Sequence, residues 1–222
     1  MIMTKTRIGV FGGTFDPPHY GHLVIAEEAR ARLGLRRVIF LPTGQPPHTP
    51  DRAISPVAHR LAMVLLAIAG NPGFRLSRLD VDRPGPCFTA ELLEMLQVEL
   101  GPTADLHFIV GMDSLGDFLT WHEPARVLRA ARLVAATRPG YTCDLSEMED
   151  AIPGATSRII LLEAPALEIS STELQARVRA GLPIRYQAPE AVARYIRQHG
   201  LYAAAEPGEP IEPIEPSETA HL

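Results

Sequence analysis

The chain has 222 residues, 46% hydrophobic and 21% charged, which suits one α/β domain with a real core and excludes a wholly disordered chain. Its formal charge is −5, but residues 206–222 hold five glutamates (Glu206, Glu209, Glu212, Glu215, Glu218) and no Lys or Arg. The rest therefore balances to zero and offers no basic excess for nucleic acid.

The chain starts Met-Ile-Met-Thr-Lys-Thr-Arg and enters a strand without the apolar region of a signal peptide. Its longest apolar stretch, 61–69, is too short to span a bilayer. Cys87 and Cys143 fit neither a CxxC motif nor a disulfide framework. A cytoplasmic protein is expected, with no membrane or nucleic-acid partner, and a homo-oligomer is left open. Lys5 is the only lysine among the 21 Lys and Arg residues. Schiff-base and P-loop lysine chemistry thus have almost no candidate, and an anion must be held by Arg, His, backbone amides or a metal ion.

Apolar runs alternate with amphipathic stretches, the pattern of a parallel sheet with crossover helices. Strands are expected at about 6–11, 37–42, 74–80, 105–110, 132–137 and 158–162. Helices are expected at about 21–34, 55–70, 88–100, 124–130, 171–180 and 189–199. Gly34 closes the first helix, Asn71-Pro72-Gly73 turns the chain after the second, and Pro102 follows the third. Residues 139–156 read as a loop with a short helical turn. The reading is a Rossmann-like, doubly wound parallel α/β sheet with flanking helices and a C-terminal helical segment, one domain over 1–203. The triplets of Glu-Pro-Ile-Glu-Pro-Ile-Glu-Pro can neither continue a helix nor bury a face, so 204–222 is expected to be a disordered acidic tail.

The chemistry concentrates between the first strand and helix, in Gly12-Gly-Thr-Phe-Asp-Pro-Pro-His-Tyr-Gly-His22. In an open parallel sheet, ligands sit beyond the carboxyl ends of strands, where helix N-termini point. Glycines let a ligand approach the backbone, and Pro17-Pro18 stiffens the loop. His19 and His22 are three apart, so on one helical turn they share a face and can donate to phosphate oxygens. With lysine so scarce, these histidines are expected to carry much of the positive charge. A dinucleotide fingerprint is the competing reading, but Gly-x-Gly-x-x-Gly in register is absent. Half of a zinc site is another, with no nearby cluster to complete it.

The segment GGTFDPPHYGH resembles the GxFDPxHxGH signature of the HxGH nucleotidyltransferase superfamily. A second signature stands at Ile169-Ser-Ser-Thr-Glu-Leu-Gln-Ala-Arg177. Between them lie Pro42-Thr-Gly-Gln-Pro-Pro-His48, Gly111-Met-Asp-Ser114, Trp121-His-Glu-Pro124 and Arg138-Pro-Gly-Tyr141. In that order, from about Arg7 to Tyr202, the set resembles the bacterial nicotinate mononucleotide adenylyltransferases. Two features depart from that pattern: Gln175 stands where Arg is usual, and Thr49 follows His48 where Lys or Arg is common. Both remove positive charge from the expected ATP side.

The resemblance implies transfer of the adenylyl group of ATP to nicotinate mononucleotide, by direct in-line displacement without a covalent intermediate, in NAD biosynthesis. It implies His19 and His22 as the catalytic contacts to the ATP phosphates, with Gly12, Gly13, Thr14, Phe15, Ser170, Ser171, Thr172 and Arg177 completing the ATP side. Either Ser170 or Ser171 can cap the helix that follows. On the acceptor side it implies His48, Thr89, Asp113, Trp121 and Arg138. Trp121 would stack on the nicotinate ring as an exposed platform, Thr89 would receive its carboxylate, Asp113 the ribose side, and Arg138 a phosphate. Mg²⁺ is expected to arrive on the ATP phosphates, with no resident protein metal site. Acceptors such as phosphopantetheine or a polyol phosphate, and a nucleotide-binding regulator without catalysis, are the alternatives.

Overall fold

A computed structural model of the chain describes residues 5–45, 54–137, 140, 143–165 and 167–203. His48, Thr49, Arg138 and the acidic tail from 204 lie outside the described residues. Six strands form one parallel sheet: β1 (Thr6–Gly13), β2 (Arg37–Pro42), β3 (Phe74–Leu76), β4 (Ala104–Gly111), β5 (Arg132–Thr137) and β6 (Ile159–Glu163). Their order is β3-β2-β1-β4-β5-β6, so the chain reverses direction across the sheet between β1 and β4. This is the doubly wound order, whose ligand crevice lies at that switch point.

The central strands are buried on both faces and read accordingly as continuous apolar runs. Ile8, Val10, Ile39, Leu106, Phe108 and Leu133 face one core, packed by α3 (Thr89–Leu100) and α5 (Pro124–Ala130). Phe11, Phe40, Phe74, Ile109 and Val134 face the other, packed by α1 (Tyr20–Arg32) and α2 (Val57–Ile68). Helix α4 (Met112–Gly116) follows β4 directly, and α6 (Ser146–Ala151) occupies the segment expected to hold a short helical turn. Helices α7 (Ser171–Arg179) and α8 (Glu190–Gln198) form a third cluster with α2, in which Met63, Leu174, Val192 and Ile196 are buried together.

Two expectations need correction. Strand β3 stops at Leu76, not at residue 80. Ser77 still donates to the Phe40 carbonyl (2.8 Å), but the next ladder donor on β2 would be the nitrogen of Pro42, which carries no hydrogen. The chain then leaves the sheet, and the Asp80 carboxylate takes the Gly44 amide at 2.9 Å. Helix α4 was absent from the expected elements, because five residues carry no readable period. Gly34 closes α1 at φ +61°, as its position predicted.

Candidate active site

Gly12 and Gly13 end β1 at the switch point, and the chain turns there through a cis Asp16–Pro17 peptide into α1. Both glycines are closely packed: a β-carbon on Gly12 would lie 3.1 Å from the Phe108 ring, and one on Gly13 would lie 3.3 Å from the Phe15 ring, so either ring would have to give. Phe15 takes φ +51° and is 2% exposed. Its ring packs on Phe11, Phe40 and His22, with centroids 5.7, 5.6 and 5.1 Å away. Its side chain is therefore part of the core and backs His22.

His19 caps α1 and His22 stands one turn in, with ring centroids 3.7 Å apart. The His19 backbone N–H donates to Nδ1 of His22 (3.2 Å), so the proton of the neutral His22 ring sits on Nε2. Nδ1 of His19 is buried with no hydrogen-bond partner. Burial lowers the pKa of His19 to about 4, and burial together with its neighbour His19 holds that of His22 well below the usual range. Both imidazoles are neutral at pH 7 in the ligand-free chain. They are N–H donors and not the standing charges the lysine count suggested; an arriving phosphate would favour their protonation. Gly21 lies between them because a β-carbon there would sit 2.9 Å from His19 Nδ1.

Helix α7 abuts this turn. Ser170 is the residue that caps it, accepting from the Glu173 N–H at 3.1 Å. Ser171 Oγ donates to the Pro17 carbonyl at 2.8 Å. Gln175 is 8% exposed and its Nε2 donates to the Asp16 carbonyl at 2.6 Å. Its amide is thus a structural tie, not a weakened phosphate ligand. Arg177 commits Nε and Nη2 to the Pro183 carbonyl (3.1 and 2.9 Å), which closes the turn after α7. Thr172 is exposed on the first turn of α7.

Gly12 and Gly13 also line a cavity of about 310 Å³ between β1, β4 and the start of α3. Thr89 and Trp121 line it, together with Thr43, Asp80, Cys87, Phe88, Ser114 and His122. Trp121 is half-buried and not a free platform, because its ring packs on Phe118 and Phe108 (centroids 5.4 and 6.2 Å). Asp113 is exposed, between Gly111 and Ser114 of the lining. Phe88 and His122 stack at 3.9 Å and 28°. This pair escaped sequence reasoning, although His122 directly follows Trp121; nothing local predicts that a residue from before α3 meets it. The cavity is apolar with a few polar groups, the character of a site for a flat ring with polar substituents.

Among the described residues no group of three or more His, Cys, Asp or Glu could hold a metal ion. No described helix is long and apolar enough to cross a membrane.

A turn with paired histidines thus follows two glycines that line an aromatic cavity at the switch point. The sequence pattern of the cytidylyltransferase-like family matches residues 10–177. More particularly, the chain belongs to the family of the nicotinate-nucleotide adenylyltransferases. It is 49% identical to a protein of Thermomicrobium roseum named probable nicotinate-nucleotide adenylyltransferase, over 90% of this chain and 94% of the relative. A Roseiflexus sp. protein of the same name is 47% identical, over 90% of this chain and all of the relative. The fold also matches the Plasmodium falciparum nicotinic acid mononucleotide adenylyltransferase complexed with NaAD, at TM-score 0.72 and 20% identity, covering 89% of this chain and 97% of that one.

Proposed function

We propose that the chain transfers the adenylyl group of ATP to nicotinate mononucleotide, giving nicotinate adenine dinucleotide and pyrophosphate. The observation that carries this reading is an aromatic cavity lined by Gly12 and Gly13, followed in the chain by the paired imidazoles of His19 and His22. The names of the relatives, and the solved neighbour complexed with NaAD, support the same pair of substrates.

The acceptor phosphate has a second pKa of about 6, so it is already a nucleophile at neutral pH and no general base is required. One of its oxygens attacks the α-phosphorus of ATP in line, and the bond from that phosphorus to the bridging oxygen of pyrophosphate breaks. Catalysis reduces to alignment and to stabilising charge on the leaving group. His22 Nε2–H and the His19 ring donate to the phosphates, with Gly12, Gly13 and Thr14 supplying close backbone. Ser170, Ser171 and Thr172 place the N-terminus of α7 on the triphosphate side. Trp121 offers a face to the nicotinate ring, Thr89 receives its carboxylate and Asp113 approaches the ribose. His48 and Arg138 keep the acceptor-side roles that the family resemblance gives them. Mg²⁺ enters as part of the substrate, on ATP phosphate oxygens, where it neutralises developing charge.

Assays of the purified chain with MgATP and nicotinate mononucleotide, nicotinamide mononucleotide or phosphopantetheine test this reading. Dinucleotide and pyrophosphate should form in equal amounts from the nicotinate substrate. Turnover of phosphopantetheine with neither pyridine nucleotide overturns it. His22→Ala should lower kcat by about 10²-fold or more, the usual loss for one preorganised donor; unchanged turnover would remove His22 from the mechanism.

A further inference from the structure

Asp16 lies between the phosphate-facing glycines and His19, and is 4% exposed. Groups from three distant parts of the chain converge on it and on Pro17. The Tyr202 hydroxyl donates to Oδ1, and the Ser55 backbone N–H donates to Oδ2 at 3.0 Å. Gln175 and Ser171 hold the carbonyls of Asp16 and Pro17. Beneath them Arg60, 2% exposed, donates to the carbonyls of Thr14 (3.0 Å), Thr43 (2.7 Å) and Ser55 (3.1 Å). Arg60 therefore ties the opening turn to the loop after β2, whose Thr43 lines the acceptor cavity.

Most of these groups come from within or beside helices that the core already fixes. Tyr202 lies past the end of α8, partly buried against the third core cluster, and takes φ +63°, a left-handed conformation uncommon for a side chain of this size. The same hydroxyl touches Met63 Sδ at 3.9 Å, so the ring reaches back over α2. Backbone strain at a residue whose one polar atom lands on the active-site turn points to a role for that atom. Burial and the Asp16 carboxylate push the pKa of the phenol up, so it remains a proton donor throughout the working pH range.

We propose that Tyr202 is a positioning residue for the reaction: its hydroxyl, through the Asp16 carboxylate, fixes the turn that carries His19 and His22. Without that bond Oδ1 is released, and the turn is held at one carboxylate oxygen instead of two. The imidazole donors then wander by a fraction of an ångström relative to the acceptor cavity, which is enough to lower the rate without removing binding groups. The inference rests on the adenylyl-transfer reading for its kinetic part only.

Tyr202→Phe removes one oxygen and keeps the ring. Kinetics with MgATP and nicotinate mononucleotide, and hydrogen–deuterium exchange of backbone amides, are to be compared with the unaltered chain. The expected result is a kcat lower by about tenfold to a hundredfold, with KM for both substrates within about twofold. Amides of 12–22 should exchange faster while those of β4 do not change. Asp16→Asn, which keeps the shape of the acceptor, should show the same pattern, and the double variant should be no slower than Asp16→Asn alone. Truncation after Tyr202 should leave kcat unaltered, and truncation after Leu201 should reproduce the loss. A merely structural lock predicts otherwise: a lower Tm, with kcat below the melting transition and exchange of 12–22 both unchanged. That result would overturn the proposal. If the unaltered chain makes no dinucleotide, the adenylyl-transfer reading fails by itself. The exchange of 12–22 then decides: faster exchange in Tyr202→Phe upholds the positioning role, and unchanged exchange rejects it.

Discussion

The ring of His19 lies against the backbone of Gly21, where a β-carbon would come within 2.9 Å of Nδ1 and 3.0 Å of Cε1. The glycine of His-x-Gly-His is thus required by its neighbour's ring and not by its own backbone dihedrals. Gly21→Ala should push His19 off His22 and lower kcat by about 10²-fold, the loss of one aligned donor. Steady-state kinetics check this, and an unchanged kcat would show that the ring moves aside at no cost to function.

Acid sensitivity follows from the buried imidazoles. The folded-state pKa of His19 is about 4, below the 6.5 of an exposed imidazole, and burial also lowers His22, His59 and His107. Between these values the unfolded chain binds protons that the folded chain refuses, so stability falls as pH drops from about 6.5 towards 4. Above about pH 5 the carboxylates lowered by Arg partners, Glu27, Asp82 and Glu94, are ionised in both states and add little slope. Tm measured from pH 7 to pH 5 should therefore fall, and His19→Ala should flatten the decline. An equally steep decline in that variant would place its origin elsewhere.

Trp121 stands between two duties, lining the cavity and packing on Phe118. Trp121→Ala should raise KM for nicotinate mononucleotide roughly 5- to 100-fold, the range for loss of one stacking platform, and leave KM for ATP near its original value. A matching rise for ATP would mean that the substitution disturbs the whole site through its packing.

Gln175→Ala would leave the buried carbonyl of Asp16 without its donor. The expected cost is about 1–3 kcal/mol, read as a lower midpoint in urea unfolding with an unchanged slope. No shift in the midpoint would mean that solvent or another side chain reaches that carbonyl.

The strands, the main helices and the N-terminal signature were legible because they depend on local patterns. Apolar runs such as Arg37–Pro42 and Ala104–Gly111 announce buried strands, and Gly12–His22 carries its own turn chemistry. The edge strand was read four residues too long because its stop is set by Pro42 on the neighbouring strand, far away in the chain. The stacked Phe88 and His122, separated by the whole of α3 and β4, had no local signal. Nothing in the sequence around Arg60 marks it as a buried tie between two loops.

By itself the sequence determined the class of fold, the place of the histidine-bearing turn and the family to which the chain belongs. These rest on residues close together in the chain, whose spacing is the structural fact. Only the tertiary structure decided the state and support of the site. It made both histidines neutral, because charge on an imbedded imidazole depends on the apolar rings around it, here Phe11 and Phe15 for His22. It also converted Gln175 from a missing cation into a tie, and joined Asp16 to Tyr202 across 186 residues. Burial and long-range hydrogen bonding are properties of where segments meet, and no window along the chain contains them.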